Sequence, residues 1–283
     1  WFFNERKKIP KSDPMNYVYK IILNSTYGLS NDKNSFLYDP QFTMFITVNG
    51  QLTLMMLYEM IMEAIPEAIP LLQNTDGIET IIPRSAKEKY LKVCEEWEAL
   101  TDLNLEHDEY KKIILADVNN YIAIDNNNKA KCKGRFEFEN LALHKNKSKL
   151  IIPKAIYAYF VDGILPEYTL KYNRNIFDYC IGGKSKGVWK QIAIYIEDGK
   201  PQEDALQKIN RYYISNQGKK IIKRNPDGRE IQLEAGKWLQ TIYNDQSIKP
   251  WEEYNINEKY YLDAIEKEIN NIIGIKSNQL LLF

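Results

Sequence analysis

Lys20, Asn24 and Tyr27 sit in one short apolar stretch, Lys20-Ile21-Ile22-Leu23-Asn24-Ser25-Thr26-Tyr27-Gly28. Read as a helix at about 100° per residue, they share a narrow sector beside Tyr17, while Val18, Ile21, Ile22 and Ser25 turn away. A lysine neutralises phosphate charge, an amide donates hydrogen bonds to it, and a phenol stacks on or closes around sugar and base. The same pattern also describes an amphipathic core helix whose lysine snorkels to water. A second feature is needed, and Asp76 in Asn74-Thr75-Asp76-Gly77 supplies it. A carboxylate at a hairpin tip is held by strands yet exposed, which suits a hard cation such as Mg²⁺ that keeps its waters and binds substrate phosphates. Asp-Gly is equally a plain hairpin signal. Together the two features describe a nucleoside triphosphate site. Lys8 belongs to the basic cluster at residues 4–11, which reads as a solvated loop or as a further phosphate contact.

The elements that position these residues follow from punctuation and periodicity. Ser12 or Asp13 caps the helix, Pro14 suits its first turn, and Gly28 supplies a stop. Phe42 to Val48 has strand composition, Asn49-Gly50 breaks it, and Gln51 to Ile65 reads as a buried helix ended by Pro66. Leu71 to Ile82 reads as strand, tight turn, strand, and Ser85-Ala-Lys-Glu88 as a capping box for a helix to about Leu100. Tyr110–Ala116 and Asn120–Ile124 are strands, and Lys129–Phe138 returns beside them. Composition shifts near Asn140. Beyond it, 153–162 and 201–214 read as helical, 166–178 is ambiguous, and Gly182–Gly187 is a flexible loop without the phosphate-loop spacing. Asn225-Pro-Asp-Gly228 is a hairpin turn, and a last helix runs from an Asn257 cap to Gly274 with Tyr261, Ile265, Ile269 and Ile272 on one face.

At 283 residues, with 44% hydrophobic and 27% charged residues and zero net charge, the chain is globular rather than disordered and has no general basic coat. Charge is unevenly spread. Lys129 to Lys154 holds eight Lys or Arg against Glu137 and Glu139, whereas Glu88 to Glu109 holds eight acids. One segment can therefore face a polyanion while another faces water. Three distant cysteines and two isolated histidines argue against a disulfide framework, a zinc site and a histidine triad, and point to a reducing compartment. No signal peptide is visible, and the run from Leu52 to Ile65 is too short to span a bilayer. The chain opens on Trp1-Phe2-Phe3 rather than Met and is expected to begin inside a larger domain.

Lys20-x-x-x-Asn24-Ser25-x-Tyr27-Gly28 resembles the fingers motif of family B DNA polymerases, and Asn74-Thr75-Asp76-Gly77 resembles that family's palm Asp-Thr-Asp hairpin in order and separation. Asp117-Val-Asn119-Asn120-Tyr121 resembles the Lys-x-Tyr primer-contacting region, and Lys133-Gly134 the Lys-Gly step after it. The wording around Tyr27-Gly-Leu-Ser-Asn-Asp32 is most similar to polymerases of tailed bacteriophages, the crAss-like group among them. The resemblance is strong over residues 1–140 and weak beyond. It implies an α+β right hand: fingers (1–30), an antiparallel palm sheet with packed helices (31–139) and a mostly helical thumb with a β-hairpin (140–283). It also implies template-directed addition of dNTPs to a DNA primer-template in the cytoplasm of an infected bacterium, with no membrane role.

Carried over residue by residue, the resemblance makes Asp76 a metal-binding aspartate of a two-Mg²⁺ site, Lys20 and Asn24 ligands of the triphosphate, and Tyr27 a check on the nascent base pair; Lys8, from the basic cluster, is a further candidate for the nucleotide's phosphates. Tyr121, Lys133 and Gly134 would face primer and template; apart from the resemblance, the basic charge of 129–154 makes Lys145, Lys147 and Lys149 expected contacts to the DNA backbone. Three departures follow. Asn74 replaces the first hairpin aspartate, Asn119 replaces the lysine of Lys-x-Tyr, and the other metal aspartate and the exonuclease residues are not in this chain. The isolated chain is therefore expected not to polymerise and to need a preceding polymerase segment as partner. A non-catalytic nucleic-acid-binding module of polymerase shape is the alternative.

Overall fold

The computed structural model describes residues 1–139, 148–242 and 249–274, which form a mixed α+β structure with antiparallel sheets and eight α-helices. It divides into two compact units, Trp1–His107 and Asp108–Phe283.

The first unit opens with α1 (Phe2–Lys7), α2 (Pro14–Ser30) and α3 (Pro40–Ala64). Asp13 caps α2 by accepting from Met15 N at 2.8 Å, with Pro14 at the first helical position as expected. Gly28 does not stop the helix, which runs on to Ser30. Ser30 and Thr43, both buried, share a 2.7 Å hydrogen bond that ties α2 to α3. The expected strand at 42–48 and break at Asn49-Gly50 are absent: Pro40–Ala64 is one helix of 25 residues. Its start is set by Asp39, which accepts from Phe42 N at 3.0 Å ahead of Pro40. A well-capped start outweighs the β-prone composition of Phe42–Val48, and Gly50 faces open space, where it costs only its propensity, about 1 kcal/mol. The helix is not buried on every side either, since Leu54, Leu57 and Ile61 face inward while Leu52 and Met55 face water.

Next, β1 (Ile69–Gln73) and β2 (Ile78–Ile81) form the expected hairpin, and α4 (Lys87–Thr101) follows. A 3₁₀ turn, Arg84–Ala86, leads into α4, and no side chain caps its Ala86 end, so the Ser85–Glu88 capping box does not form there. Leu57, Ile61, Ile65, Val93, Cys94 and Trp97 build the core of this unit, and Trp97 Nε1 donates to Thr53 O at 2.8 Å.

In the second unit β3 (Tyr110–Asp117), β4 (Asn120–Asp125) and β5 (Ala130–Cys132) make an antiparallel sheet in that order. The third strand is far shorter than Lys129–Phe138, because Gly134 turns the chain into a 3₁₀ segment, Gly134–Phe136. Three short helices follow, α5 (Ile151–Tyr157), α6 (Pro166–Tyr172) and α7 (Ile176–Tyr179). Seven strands then replace the expected mostly helical region: β6 (Ile181–Lys184), β7 (Lys190–Glu197), β8 (Lys200–Leu206), β9 (Ile209–Ser215), β10 (Lys220–Arg224), β11 (Glu230–Gln232) and β12 (Trp238–Ile242). They pair as β11-β10-β7-β8 and β12-β9-β6. Residues 201–214 are thus strands rather than a helix. The turn between β7 and β8 is Asp198-Gly199, with φ of 48° and 75°, the left-handed pair that a two-residue hairpin turn requires. Gly182–Lys184 is strand, not flexible loop. A Cβ on Gly183 would lie 2.8 Å from Asn210 Oδ1 and 2.9 Å from Gln191 Oε1, so glycine lets two side chains close over β6.

The last helix, α8 (Glu258–Ile273), is capped by Asn257 and stopped by Gly274 at φ 83°, with Tyr261, Ile265 and Ile269 buried as read from the sequence. Tyr261 knits the core: its hydroxyl accepts from Ile214 N at 3.0 Å and donates to Tyr179 O at 2.8 Å. Among the described residues the three cysteines are free thiols, and no helix is long and apolar enough to cross a membrane.

Candidate nucleotide and nucleic-acid sites

In the first unit, α2 presents Lys20, Asn24 and Tyr27 to solvent, and their polar ends have no partner among the described residues. The helix buries only Asn16 and Ser30. Asn16 lies one turn before Lys20 on the same stripe, and the sequence reading passed over it. Its Nδ2 donates to Arg6 O at 3.2 Å and Ile9 O at 2.8 Å, and its Oδ1 accepts from Arg6 Nε at 3.1 Å. Asn16 therefore docks α1 on α2 and holds the Arg6 guanidinium at the foot of the stripe, where no sequence argument had placed it. The only sequence signal was the period itself, since Asn16 stands four residues before Lys20. Lys8, which the sequence singled out, is paired with Glu5 at 2.7 Å.

Asp76 is exposed in the turn between β1 and β2. Asn74 shapes that turn: its N–H donates to Gly77 O at 2.9 Å, and its Oδ1 accepts from Thr75 N at 2.6 Å and Thr75 Oγ1 at 3.2 Å. The Asn74 amide is engaged with its own loop, and Asp76 is left without a partner among the described residues. No polar contact there joins Asp76 to α2. Nor does any group of three His, Cys, Asp or Glu side chains come together among the described residues. The donor set does not fit a complete two-ion centre. It offers one carboxylate, as a Mg²⁺ ion bound chiefly to water and phosphate oxygens can use. A groove of about 520 Å³ on α3, lined by Pro40, Met44, Phe45 and Val48 among others, includes none of the candidate residues.

In the second unit the structure brings Tyr121, Lys133 and Gly134 together. Lys133 N donates to Tyr121 O at 2.9 Å, which lays the Lys133-Gly134 step beside the turn between β3 and β4. Gly134 has φ +63°, and a Cβ there would lie 2.2 Å from Asn119 O and 2.3 Å from Asn120 Oδ1. Only glycine fits. Asn120 Oδ1 accepts from Arg135 N at 2.7 Å, and its Nδ2 donates to Asp117 Oδ1 and Oδ2, each at 2.9 Å. Asp117 also accepts from Asn119 N at 2.9 Å. These bonds, that from Asn120 foremost, hold the Asp117 carboxyl below its ordinary pKa of 3.8. Arg135 is ion-paired with Glu268 of α8. Lys133 remains exposed at the centre of this frame. The network through Asp117, Asn120 and Arg135 went unread in the sequence because its members belong to two turns that only the sheet register brings together.

Lys149 differs from Lys133. Its ammonium pairs with Glu234 at 3.2 Å and with the Tyr260 hydroxyl, and lies 5.0 Å from the Tyr260 ring centroid. Burial works against its charge, and Tyr260 and Glu234 outweigh that, so its pKa is raised. Lys145 and Lys147 lie outside the described residues.

No protein-family model matches the chain, and no curated protein matches it. Among solved structures it is similar to the family B DNA polymerase of the hyperthermophilic archaeon Pyrobaculum calidifontis, at 15% identity and a TM-score of 0.43, over 100% of this chain and 36% of that one. This chain thus spans little more than a third of that polymerase, and so loose an overlap assigns no role to any residue.

Proposed function

We propose that the chain is the fingers, palm and thumb portion of a family B DNA polymerase, acting in phage DNA replication on a primer-template and dNTPs. The observation that carries this reading is the open stripe of Lys20, Asn24 and Tyr27 on α2, in the same unit as a hairpin that frees Asp76 at its tip. Lys20 and Asn24 hold the triphosphate, Tyr27 closes on the nascent base pair, and Arg6, fixed by Asn16, adds a planar cation suited to phosphate oxygens. Asp76 gives one carboxylate to Mg²⁺, which when bound would offset triphosphate charge. The remaining carboxylate comes from a segment outside these residues. Lys133 meets the nucleic-acid backbone, positioned by Gly134 and the Asp117–Asn120 turn.

A non-catalytic nucleic-acid-binding module is the second reading, and Asn74 favours it because its amide serves its own turn. Equilibrium binding of a fluorescent dNTP separates the two. Under the first reading Lys20→Ala weakens binding about tenfold or more, as expected for a lost charge-assisted phosphate contact. Under the second, the substitution leaves nucleotide affinity unchanged.

A further inference from the structure

The outward face of α6 carries a feature that the nucleotide site does not use. Pro166 and Leu170 of this helix are buried, and Tyr168 and Tyr172 project on the opposite side, 52% and 70% exposed. Their rings are parallel within 8°, with centroids 6.4 Å apart. The other ring pairs among the described residues meet edge-on or tilted. Here the i,i+4 spacing of a helix, a rise of about 6 Å, sets two parallel rings next to each other on the exposed side of α6. Lys171 places its ammonium 5.6 Å from the Tyr172 ring centroid, and Arg174, two residues after Tyr172, is exposed with its guanidinium 5.0 Å from the Trp251 ring centroid. Glu167 is the acid of the helix, at its first turn, so the positive end is the C-terminal one.

We propose that Tyr168 and Tyr172 form a stacking platform for an unpaired nucleic-acid strand, whose phosphates run past Lys171 and Arg174. Parallel exposed rings with adjacent cations match the sequence-tolerant way single strands are held: each base stacks on a π-face, and the backbone tracks positive charge. A strand that stacks one base on Tyr168 reaches Tyr172 without turning. Paired bases present no free face to such rings, so the platform discriminates single strands from duplex. This inference stands on the second unit alone and does not depend on the nucleotide reading of α2.

Fluorescence anisotropy with a labelled oligo(dT), a duplex of equal length and an abasic oligomer of equal charge tests it on the full chain. The double variant Tyr168→Ala/Tyr172→Ala is expected to lose at least fivefold and up to about 150-fold in oligo(dT) affinity per base unstacked. Its salt dependence should be unchanged, because no phosphate contact is removed. Tyr168→Phe/Tyr172→Phe, which keeps the stacking faces, should bind within about twofold of wild type, and Lys20→Ala should bind oligo(dT) normally. Equal affinity of wild type and the double alanine variant overturns the proposal. So does an equal loss for oligo(dT) and duplex, or an abasic oligomer that binds as well as oligo(dT). A change in self-association with oligo(dT) binding intact would make the face a protein contact and would also overturn it.

Discussion

Gly134 carries the sharpest constraint at the scale of single residues. With φ +63° and two oxygens inside 2.5 Å of any added Cβ, Gly134→Ala must shift the turn between β3 and β4 or break its bonds. A loss of about 2 kcal/mol or more is expected, measurable by urea denaturation. Asp117 gives a pH signature. Its folded pKa lies below the ordinary 3.8, so its contribution is full above that value and is lost as pH falls through the lowered one. The melting temperature of wild type should therefore exceed that of Asp117→Asn at pH 6, and the gap should close in strong acid. A gap that persists there would mean that the carboxylate charge does not hold the turn. Glycine and its neighbours were visible in the sequence as a Lys-Gly step. The reason for the glycine was not, because it lies in Asn119 and Asn120 across the sheet.

Among the elements, α2 was the most legible. Asp13, Pro14 and the spacing of Lys20, Asn24 and Tyr27 read as a helix with one polar stripe, and that is how they fold. The hairpin at Asn74–Gly77, the turn at Asn225–Gly228 and α8 were legible for the same reason, since each is defined by local chemistry. Errors arose where local preference and context disagree. Phe42–Val48 is β-prone but follows an Asp-Pro start, and the cap prevailed. Residues 201–214 hold helix formers, yet Asp198-Gly199 folds them back on β7 as strands. What the sequence could not reveal was how α1 meets α2. Asn16→Ala leaves the Arg6 and Ile9 carbonyls without their side-chain donor and should release α1, a loss of about 1–3 kcal/mol. Hydrogen exchange should rise through residues 2–9 and stay unchanged in α4; equal protection in both proteins would show that Asn16 is not the tether.

For the whole molecule, a net charge of zero conceals an uneven distribution. Of the basic residues at 129–154, Lys133 is exposed and unpartnered among the described residues, whereas Lys149 is paired with Glu234. The two should separate in a salt titration of DNA binding. Lys133→Gln should lower the slope of log K against log salt by about 0.9, one phosphate contact on duplex DNA. Lys149→Gln should leave the slope unchanged and lower stability, because Glu234 and Tyr260 lose their cation. The reverse pattern would place the DNA at Lys149 rather than at Lys133.

The proposed sharing of one nucleotide by α2 and the Asp76 hairpin is tested by the dNTP affinity of the full chain with and without Mg²⁺, in wild type, Lys20→Ala and Asp76→Asn. Wild type should bind more tightly with Mg²⁺, Asp76→Asn should lose that enhancement, and Lys20→Ala should weaken binding in both conditions. Affinity that ignores Mg²⁺ and both substitutions would contradict the account.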